Sequence, residues 1–222
     1  MRSDERPSAW RASTPISADC LYIVFARAPL AGQVKTRIAR RIGEHAARRL
    51  HERLVRRVLG TARAAGGPLE LHVTRAHHWF ATLNVPIRPQ RGVDLGERMH
   101  YALRAGLRRH ARVVLVGADC PELTAADLAR ADRLLQGAAD VVLAPAADGG
   151  YALIGARRIA PRIFAAVRWG GAEVLAQTRR NLEEAGFAYR LLRTVWDVDR
   201  PEDLARLRSR RYSSAWRRRA RR

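Results

Sequence analysis

The sequence predicts an α/β fold in three layers, with helices covering both faces of a mostly parallel β-sheet. Short apolar runs rich in β-branched residues alternate with segments whose apolar residues recur at helical spacing. Hydrophobic residues make up 47% of the chain and aromatic residues 6%, so the core is expected to be mainly aliphatic. The length of 222 residues suits one domain with a sizeable core. These observations exclude a disordered chain, a collagen-like chain and a disulfide miniprotein.

The first half of the chain begins with a predicted strand at 21–26, followed by a loop that contains Pro29 and Gly32. A helical stripe then repeats every four positions, and Gly43 is expected to divide it into two helices. Its apolar members are Ile38, Ile42, Ala46, Leu50, Leu54 and Val58. Further strands are predicted at 69–73 and 85–89.

The second half continues the alternation. A helix is predicted from Asp94 to about Arg109, with Asp94 and Glu97 in a capping-box pattern. The remaining predicted elements are a strand at 112–116, a helix at 124–136 with Thr124 as N-cap, strands at 140–144 and 151–155, a helix at 172–185, a strand at 189–195 and a helix at 201–207. Strands that alternate with helices favour a sheet covered on both faces.

The formal net charge is +21: positions 206–222 hold nine arginines and no acid, and the rest of the chain is moderately basic with 33 basic and 21 acidic residues. We expect a disordered leader at 1–19, a folded domain at 20–207 and an Arg-rich tail at 208–222. The tail could contact nucleic acid or another polyanion weakly, or could simply be a solvated extension.

Cellular location is predicted from what the sequence lacks. Cys20 and Cys120 have no partner cysteines that would form a disulfide framework or a metal cluster. No apolar signal region precedes residue 20, and runs such as 113–117 are too short to span a bilayer. We therefore expect a cytoplasmic protein without stable membrane insertion, and the oligomeric state is open.

Lys35 is the only lysine among 42 basic residues. It lies in the loop at 27–37, where a predicted strand leads into a predicted helix. Such a loop can bind an anion through backbone N–H groups, and Lys35, Arg37 and Arg27 would add positive charge. The alternative is an ordinary strand-to-helix turn. Two residues separate Gly32 from Lys35, so the loop is not a Walker A motif.

Acidic residues follow three later strands, at the edge where α/β sheets bind ligands. Asp119 could bind Mg²⁺ or cap the turn before Pro121. Asp148 precedes Gly149, Gly150 and Tyr151, which could form a plain hairpin or a glycine-lined floor where Asp148 binds a hydroxyl.

Asp197 and Asp199 are two positions apart, so an extended backbone would point both to one side. Asp199 could also cap the last helix, and both roles could hold together. Gly92 and Gly96 belong either to a capped helix or to a site of close approach to a base or sugar.

Five ordered motifs together resemble a bacterial glycosyltransferase-A-like family, often labelled radical-SAM/selenodomain-associated transferase. They are Ala-Pro-x-x-Gly-x-Val-Lys-Thr-Arg at 28–37, Asp-Leu-Gly-Glu-Arg-Met at 94–99, Gly-x-Asp-Cys-Pro-x-Leu at 117–123, Asp-Gly-Gly-Tyr-x-Leu-Ile-Gly at 148–155 and Trp-Asp-Val-Asp-x-Pro-Glu-Asp-Leu at 196–204. The family belongs with the nucleotide-diphospho-sugar transferases, which include molybdenum-cofactor guanylyl- and cytidylyltransferases and phospholactate guanylyltransferase.

The resemblance implies a nucleotide-diphospho-sugar transferase type of fold and a role for individual residues. Lys35 and Asp119 would be catalytic, and Asp119 and Asp199 would bind Mg²⁺ or Mn²⁺. The nucleotide donor would contact Arg27, Pro29, Gly32, Lys35, Arg37 and Gly96. The second substrate would contact Asp148, Gly149, Gly150, Tyr151 and Trp169. The chain departs from the family pattern at Arg27, where the family usually has Lys, and at 169–171, where a Trp-x-Thr pattern reads Trp-Gly-Gly.

The residues favour nucleotidyl transfer from a nucleoside triphosphate to a small anionic acceptor. Glycosyltransferases of this fold usually show Asp-x-Asp at the metal, whereas Asp119 is followed by Cys120 and Pro121. A lysine in the first loop suits stabilisation of charge on the α-phosphate. Glycosyl transfer from a nucleotide-sugar is the first alternative. A non-catalytic nucleotide- or nucleic-acid-binding protein is the second.

Overall fold

The computed structural model describes residues 19–208, and the side chains of residues 19–207. The predicted leader and nearly all of the predicted tail lie outside these residues. The strands are β1 (Cys20–Ala26), β2 (Leu69–Val73), β3 (Ile87–Pro89), β4 (Arg112–Gly117), β5 (Val141–Pro145), β6 (Tyr151–Ala156) and β7 (Tyr189–Leu191). The α-helices are α1 (Thr36–Ile42), α2 (Glu44–Ala65), α3 (Leu95–Leu107), α4 (Ala125–Gln136), α5 (Val174–Glu184) and α6 (Asp203–Arg208).

The seven strands form one sheet in the order β3-β2-β1-β4-β6-β5-β7. All neighbouring pairs are parallel except those of β6, which runs antiparallel to β4 and β5. The chain leaves β1 toward β2 on one side and returns through β4 on the other. The strand order therefore reverses between β1 and β4, which is where open α/β sheets bind ligands.

The alternation of side chains along β1 divides the core into two layers. Tyr22 and Val24 point toward α2 and α4, whereas Leu21, Ile23 and Phe25 point toward α3. Both faces of β1 are buried, which explains why its sequence contains no charged residue. The predicted three-layer, mostly parallel sheet is confirmed.

Most predicted elements form close to their expected bounds, including the division of the first helical stripe at Gly43. The predicted strand at 189–195 is shorter, because regular pairing with β5 ends at Leu191 and only an isolated bridge joins Val195 to Ala146. Two short 3-10 helices, His78–Leu83 and Pro161–Phe164, were not predicted. Neither is long enough to show a helical repeat in sequence.

No helix within residues 19–208 is long and apolar enough to cross a membrane. This agrees with the short apolar runs in the sequence.

Candidate active site

Lys35 and Asp119 form an ion pair at the point where the strand order reverses, with the ammonium buried and the carboxylate half-exposed. Lys35 precedes α1 in a left-handed backbone conformation (φ 51°), and only 4% of its side chain is exposed. Its Nζ lies 2.8 Å from Asp119 Oδ1 and donates a hydrogen bond of 2.5 Å to the carbonyl oxygen of Val198. The one ammonium group therefore joins the loop after β1, the loop after β4 and the segment before α6.

His51 is a third member of this cluster that the sequence analysis missed. It lies on α2 and is 3% exposed. Its Nε2 is 3.0 Å from the carbonyl oxygen of Arg27, so Nε2 carries a proton and donates. Its Nδ1 then faces Asp119 Oδ1 at 3.8 Å. The sequence did contain a signal for its burial: His51 is four residues from both Ala47 and Val55, on the apolar stripe of the helix.

The surroundings of Asp119 keep its carboxyl group ionised. Burial acts to raise its pKa, but the charge of Lys35 and the nearby imidazole of His51 outweigh that effect. The net result is a pKa well below the usual range. Oδ1 is buried, yet 48% of the side chain is exposed. The rest of the carboxylate is thus open to a ligand.

Asp119 opens into a cleft of about 280 Å³ at the carboxyl ends of the central strands. Asp148 and Asp197 also line it, whereas no lysine or arginine does among the residues that the structure describes. The other lining residues are small, apolar or aromatic: Leu95, Gly117, Cys120, Ala146, Gly150, Tyr151, Ala152, Trp169, Gly170, Gly171 and Val174.

The pKa of Asp197 reflects the negative charge of this cleft. Burial and the neighbouring charge of Asp148 raise its pKa to about 6, with a smaller contribution from Asp119. Lys35 opposes these effects only in part. A divalent cation would relieve this repulsion.

Asp199 occupies a different environment from Asp197. Its carboxylate pairs with the guanidinium of Arg37, and it does not line the cleft. The two carboxylates therefore have different partners, whatever side of the segment they share. Asp199 also does not cap the last helix: Asp203 Oδ2 accepts from the backbone N–H groups of Asp199 and Arg200 at 3.0 and 2.7 Å.

The first loop brings the predicted nucleotide contacts near the same edge. Arg27 and Gly32 are exposed, Pro29 is buried, and the Arg37 side chain is 63% exposed. The Lys35 ammonium is already held by Asp119 and Val198. Direct contact between Lys35 and a phosphate would therefore require its side chain to move.

Gly96 and Gly149 are packing positions in this structure. A Cβ on Gly96 would lie 2.6 Å from Cζ2 of Trp169, so Gly96 makes room for the indole that lines the cleft. Gly149 has a φ of +91°, and a Cβ there would lie 1.9 Å from the carbonyl oxygen of Ala172. Gly150 N–H donates to Asp148 Oδ1 at 3.0 Å, which orients that carboxylate.

The predicted divalent cation can be tested against the donor set. Within residues 19–208, no group of three His, Cys, Asp or Glu side chains is arranged to hold a metal by itself. Mg²⁺ commonly takes only one or two protein carboxylates and completes its shell with water and substrate phosphates. The half-exposed carboxylate of Asp119 and the neighbouring Asp197 fit that pattern.

Comparison with known families agrees with these motifs. The family described as "Uncharacterized protein conserved in bacteria (DUF2064)" matches residues 64–171. The DUF2064 region includes Asp119 and Asp148, whereas Lys35 and Asp197 lie outside it. No curated protein matches the chain.

Solved structures show the wider relationship. A proposed nucleotide-diphospho-sugar transferase from Desulfovibrio desulfuricans G20 is 28% identical, with a TM-score of 0.78 over 88% of this chain and 93% of that one. CMP-2-keto-3-deoxy-manno-octonic acid synthetase in complex with CTP is 11% identical, with a TM-score of 0.58 over 88% and 99%. 4-Diphosphocytidyl-2C-methyl-D-erythritol synthase is 14% identical, with a TM-score of 0.56 over 86% and 96%. The predicted nucleotide-diphospho-sugar transferase type of fold is confirmed.

Proposed function

We propose that this protein is a Mg²⁺-dependent nucleotidyltransferase that uses a nucleoside triphosphate. The observation that carries the proposal is the Asp119 carboxylate, held by buried Lys35 on one oxygen and open to an acidic cleft on the rest of the group. The site lies where the strand order of the sheet reverses, and the fold is similar to that of a synthetase whose structure contains CTP. Neighbours of this kind support transfer of a nucleotide or sugar-nucleotide group in general.

The roles proposed for the residues follow from their positions. Asp119 and Asp197 would hold the cation, which would neutralise charge on the triphosphate when bound. Arg27, exposed after β1, and Arg37, exposed on α1 and paired with Asp199, would contact phosphate oxygens. Lys35 would keep Asp119 ionised and oriented. This revises the direct phosphate contact expected from the sequence, because the Lys35 ammonium is buried.

Glycosyl transfer from a nucleotide-sugar is the second candidate. Its support is the Desulfovibrio protein, whose proposed activity is nucleotide-diphospho-sugar transfer. The acidic cleft would equally suit the hydroxyl groups of a donor sugar. Against it stands the sequence at Asp119, which continues with Cys120 and Pro121 and lacks a second aspartate.

Thermal unfolding of the full chain, with and without Mg²⁺, distinguishes the two. Four nucleoside triphosphates and a panel of nucleotide-sugars are compared, because ligand binding to the native state raises the melting temperature. We expect Mg²⁺-dependent stabilisation by a triphosphate that is lost in Asp119→Asn. Glu184→Gln, an exposed carboxylate on α5, is the matched control. Stabilisation only by a nucleotide-sugar would favour glycosyl transfer, and no Mg²⁺-dependent effect would favour a non-catalytic binding protein.

A further inference from the structure

We propose that the cleft beside Asp119 binds an uncharged polyhydroxylated ring, such as a monosaccharide or a cyclitol. The inference rests on the proposed nucleotidyl transfer, in which a hydroxyl of this ring is the acceptor. It replaces the small anionic acceptor that the sequence led us to expect. The evidence is the charge of the cleft, the unpaired indole N–H of Trp169 and the aromatic wall.

The charge of the cleft disfavours an anion. Asp119, Asp148 and Asp197 all line it, and no basic side chain does within the described part of the chain. The nearest cation, Lys35, is 4% exposed and is held by Asp119. Arg168, next to the lining residue Trp169, lines a separate depression with Glu173 instead. A divalent cation on Asp119 and Asp197 would offset part of this charge but would leave the Asp148 carboxylate, so a phosphorylated or carboxylated compound would still meet repulsion in the cleft.

An unpaired N–H group on a lining residue distinguishes a neutral ligand from a cationic one. Trp169 Nε1 is buried and has no hydrogen-bond partner, whereas Tyr151 Oη faces the hydroxyl of buried Thr178. An ammonium group only donates hydrogen bonds, so it could bind the carboxylates but could not accept from the indole N–H. A phosphate dianion only accepts, so it could not donate to Asp148. A hydroxyl group can donate to a carboxylate and accept from an N–H at once.

The shape of the wall suits a ring. The rings of Tyr151 and Trp169 stand nearly perpendicular, with centroids 6.5 Å apart and an interplanar angle of 82°. Aromatic faces give the C–H groups of a sugar an apolar surface. The cleft volume of about 280 Å³ is at the small end of ligand pockets, which favours a single ring.

The proposed step can be written in full. An oxygen of the ring hydroxyl attacks the α-phosphorus, and a new P–O bond forms. The bond from the α-phosphorus to the oxygen that bridges to the β-phosphate breaks, and pyrophosphate leaves with that electron pair. The hydroxyl proton passes to Asp148, which has accepted its hydrogen bond, and from there to solvent. The products are a nucleoside-monophosphate diester of the ring and pyrophosphate.

Binding to the full chain in the presence of Mg²⁺ tests the inference with matched ligands. Isothermal titration compares D-glucose with D-glucose 6-phosphate and D-glucosamine, which share one ring and differ in charge. D-mannose, D-galactose and myo-inositol extend the uncharged set. We expect at least one uncharged ring to bind, and its phosphorylated counterpart to bind at least about tenfold more weakly.

Two variants locate that binding in the cleft. Trp169→Phe removes the indole N–H and keeps a ring, and is expected to weaken binding of the uncharged ring about tenfold. Asp148→Asn is expected to narrow the difference in affinity between the uncharged ring and the phosphorylated ring. Trp79→Phe, on a remote 3-10 helix, and Glu184→Gln are the matched controls and should change neither value.

The outcomes separate this inference from the proposed function. Tighter binding of D-glucose 6-phosphate than of every uncharged ring, or no binding of any uncharged ring, would overturn the inference while Mg²⁺-triphosphate binding could still support nucleotidyl transfer. Binding of nucleotide-sugars without binding of free rings would assign the cleft to the sugar of a donor and overturn the acceptor role. Ring binding without triphosphate binding would overturn the nucleotidyl transfer itself.

Discussion

Lys35 Nζ lies 2.8 Å from Asp119 Oδ1, although the two residues belong to loops that follow different strands. The loops meet because β1 and β4 are parallel neighbours in the sheet. The same ammonium also holds the Val198 carbonyl, which places Asp197 at the rim of the cleft. The single lysine of the chain therefore joins the segments that carry Asp119 and Asp197.

Replacement of Lys35 by methionine should impair both stability and ligand binding. The variant leaves the buried Asp119 oxygen without its cation, so the pKa of Asp119 should rise and Mg²⁺-triphosphate binding should weaken about tenfold or more. We expect a loss of about 1–3 kcal/mol in unfolding free energy. Urea unfolding and titration calorimetry measure these effects. Arg40→Met, exposed on the adjoining helix α1, is the control, and unchanged binding in Lys35→Met would contradict this role.

Asp197 and Asp199 should respond differently to substitution. Asp197→Asn should raise the Mg²⁺ concentration required for half-maximal triphosphate-dependent stabilisation about tenfold or more. Asp199→Asn should have a much smaller effect, because its carboxylate pairs with Arg37 outside the cleft. Thermal unfolding at a series of Mg²⁺ concentrations makes the comparison. A larger effect of Asp199→Asn than of Asp197→Asn would instead support Asp199 as the metal ligand that the family resemblance implies.

Acid should destabilise the fold partly through Glu70. Burial acts to raise its pKa, but hydrogen bonds from Arg109, His72 and Arg88 outweigh burial and lower the pKa to about 2. A carboxyl group with a lowered folded-state pKa stabilises above its unfolded value of 4.5, and this contribution is lost as the pH falls toward 2.

Urea unfolding between pH 6 and pH 3 tests this contribution. Glu70→Gln should remove about 2 kcal/mol of stability at pH 6 and progressively less at lower pH. Glu184→Gln, whose carboxylate is exposed, serves as reference. A constant difference between wild type and Glu70→Gln across this range would disprove the assignment.

Gly96→Ala should distinguish a packing role from a nucleotide contact. The added methyl group would meet Trp169 and the Cβ of Phe164 at 2.6 and 3.0 Å, so the indole must shift. We expect destabilisation by about 1–3 kcal/mol and weaker binding in the cleft, with triphosphate binding retained. Gly137→Ala, where a Cβ meets nothing closer than 3.6 Å, is the control. Selective loss of triphosphate binding would instead support a nucleotide contact.

Removal of residues 209–222 should separate polyanion binding from the site. The deletion leaves Leu207 in place, because that side chain is buried against the cluster around Trp196. The truncated protein should keep its Mg²⁺-triphosphate stabilisation and bind a DNA duplex more weakly. The salt dependence of DNA binding should become shallower by about 0.9 log units per lost phosphate contact. Equal DNA binding and salt dependence in both proteins, measured by fluorescence anisotropy, would show that the tail plays no part.

The sequence by itself determined the class of fold and the segments that carry the site. Apolar runs, helical stripes and the glycine at 43 report local preferences, so the β1 strand and the division between α1 and α2 were predictable. The lone Lys35 and the polar residues after each strand indicated the edge of the sheet where the cleft lies. Such signals lie within a few neighbouring positions and need no knowledge of packing.

Only the tertiary structure decided how those residues are paired. Asp197 and Asp199 are indistinguishable by spacing, yet one lines the cleft and the other binds Arg37. In the sequence, His51 looks like one more member of a buried helical stripe. Only the position of α2 in the fold shows that it lies next to Asp119. Lys35, which the sequence placed near a phosphate, forms an ion pair with Asp119. These relationships depend on contacts between loops far apart in the chain, and no local pattern encodes which partner a buried charge will meet.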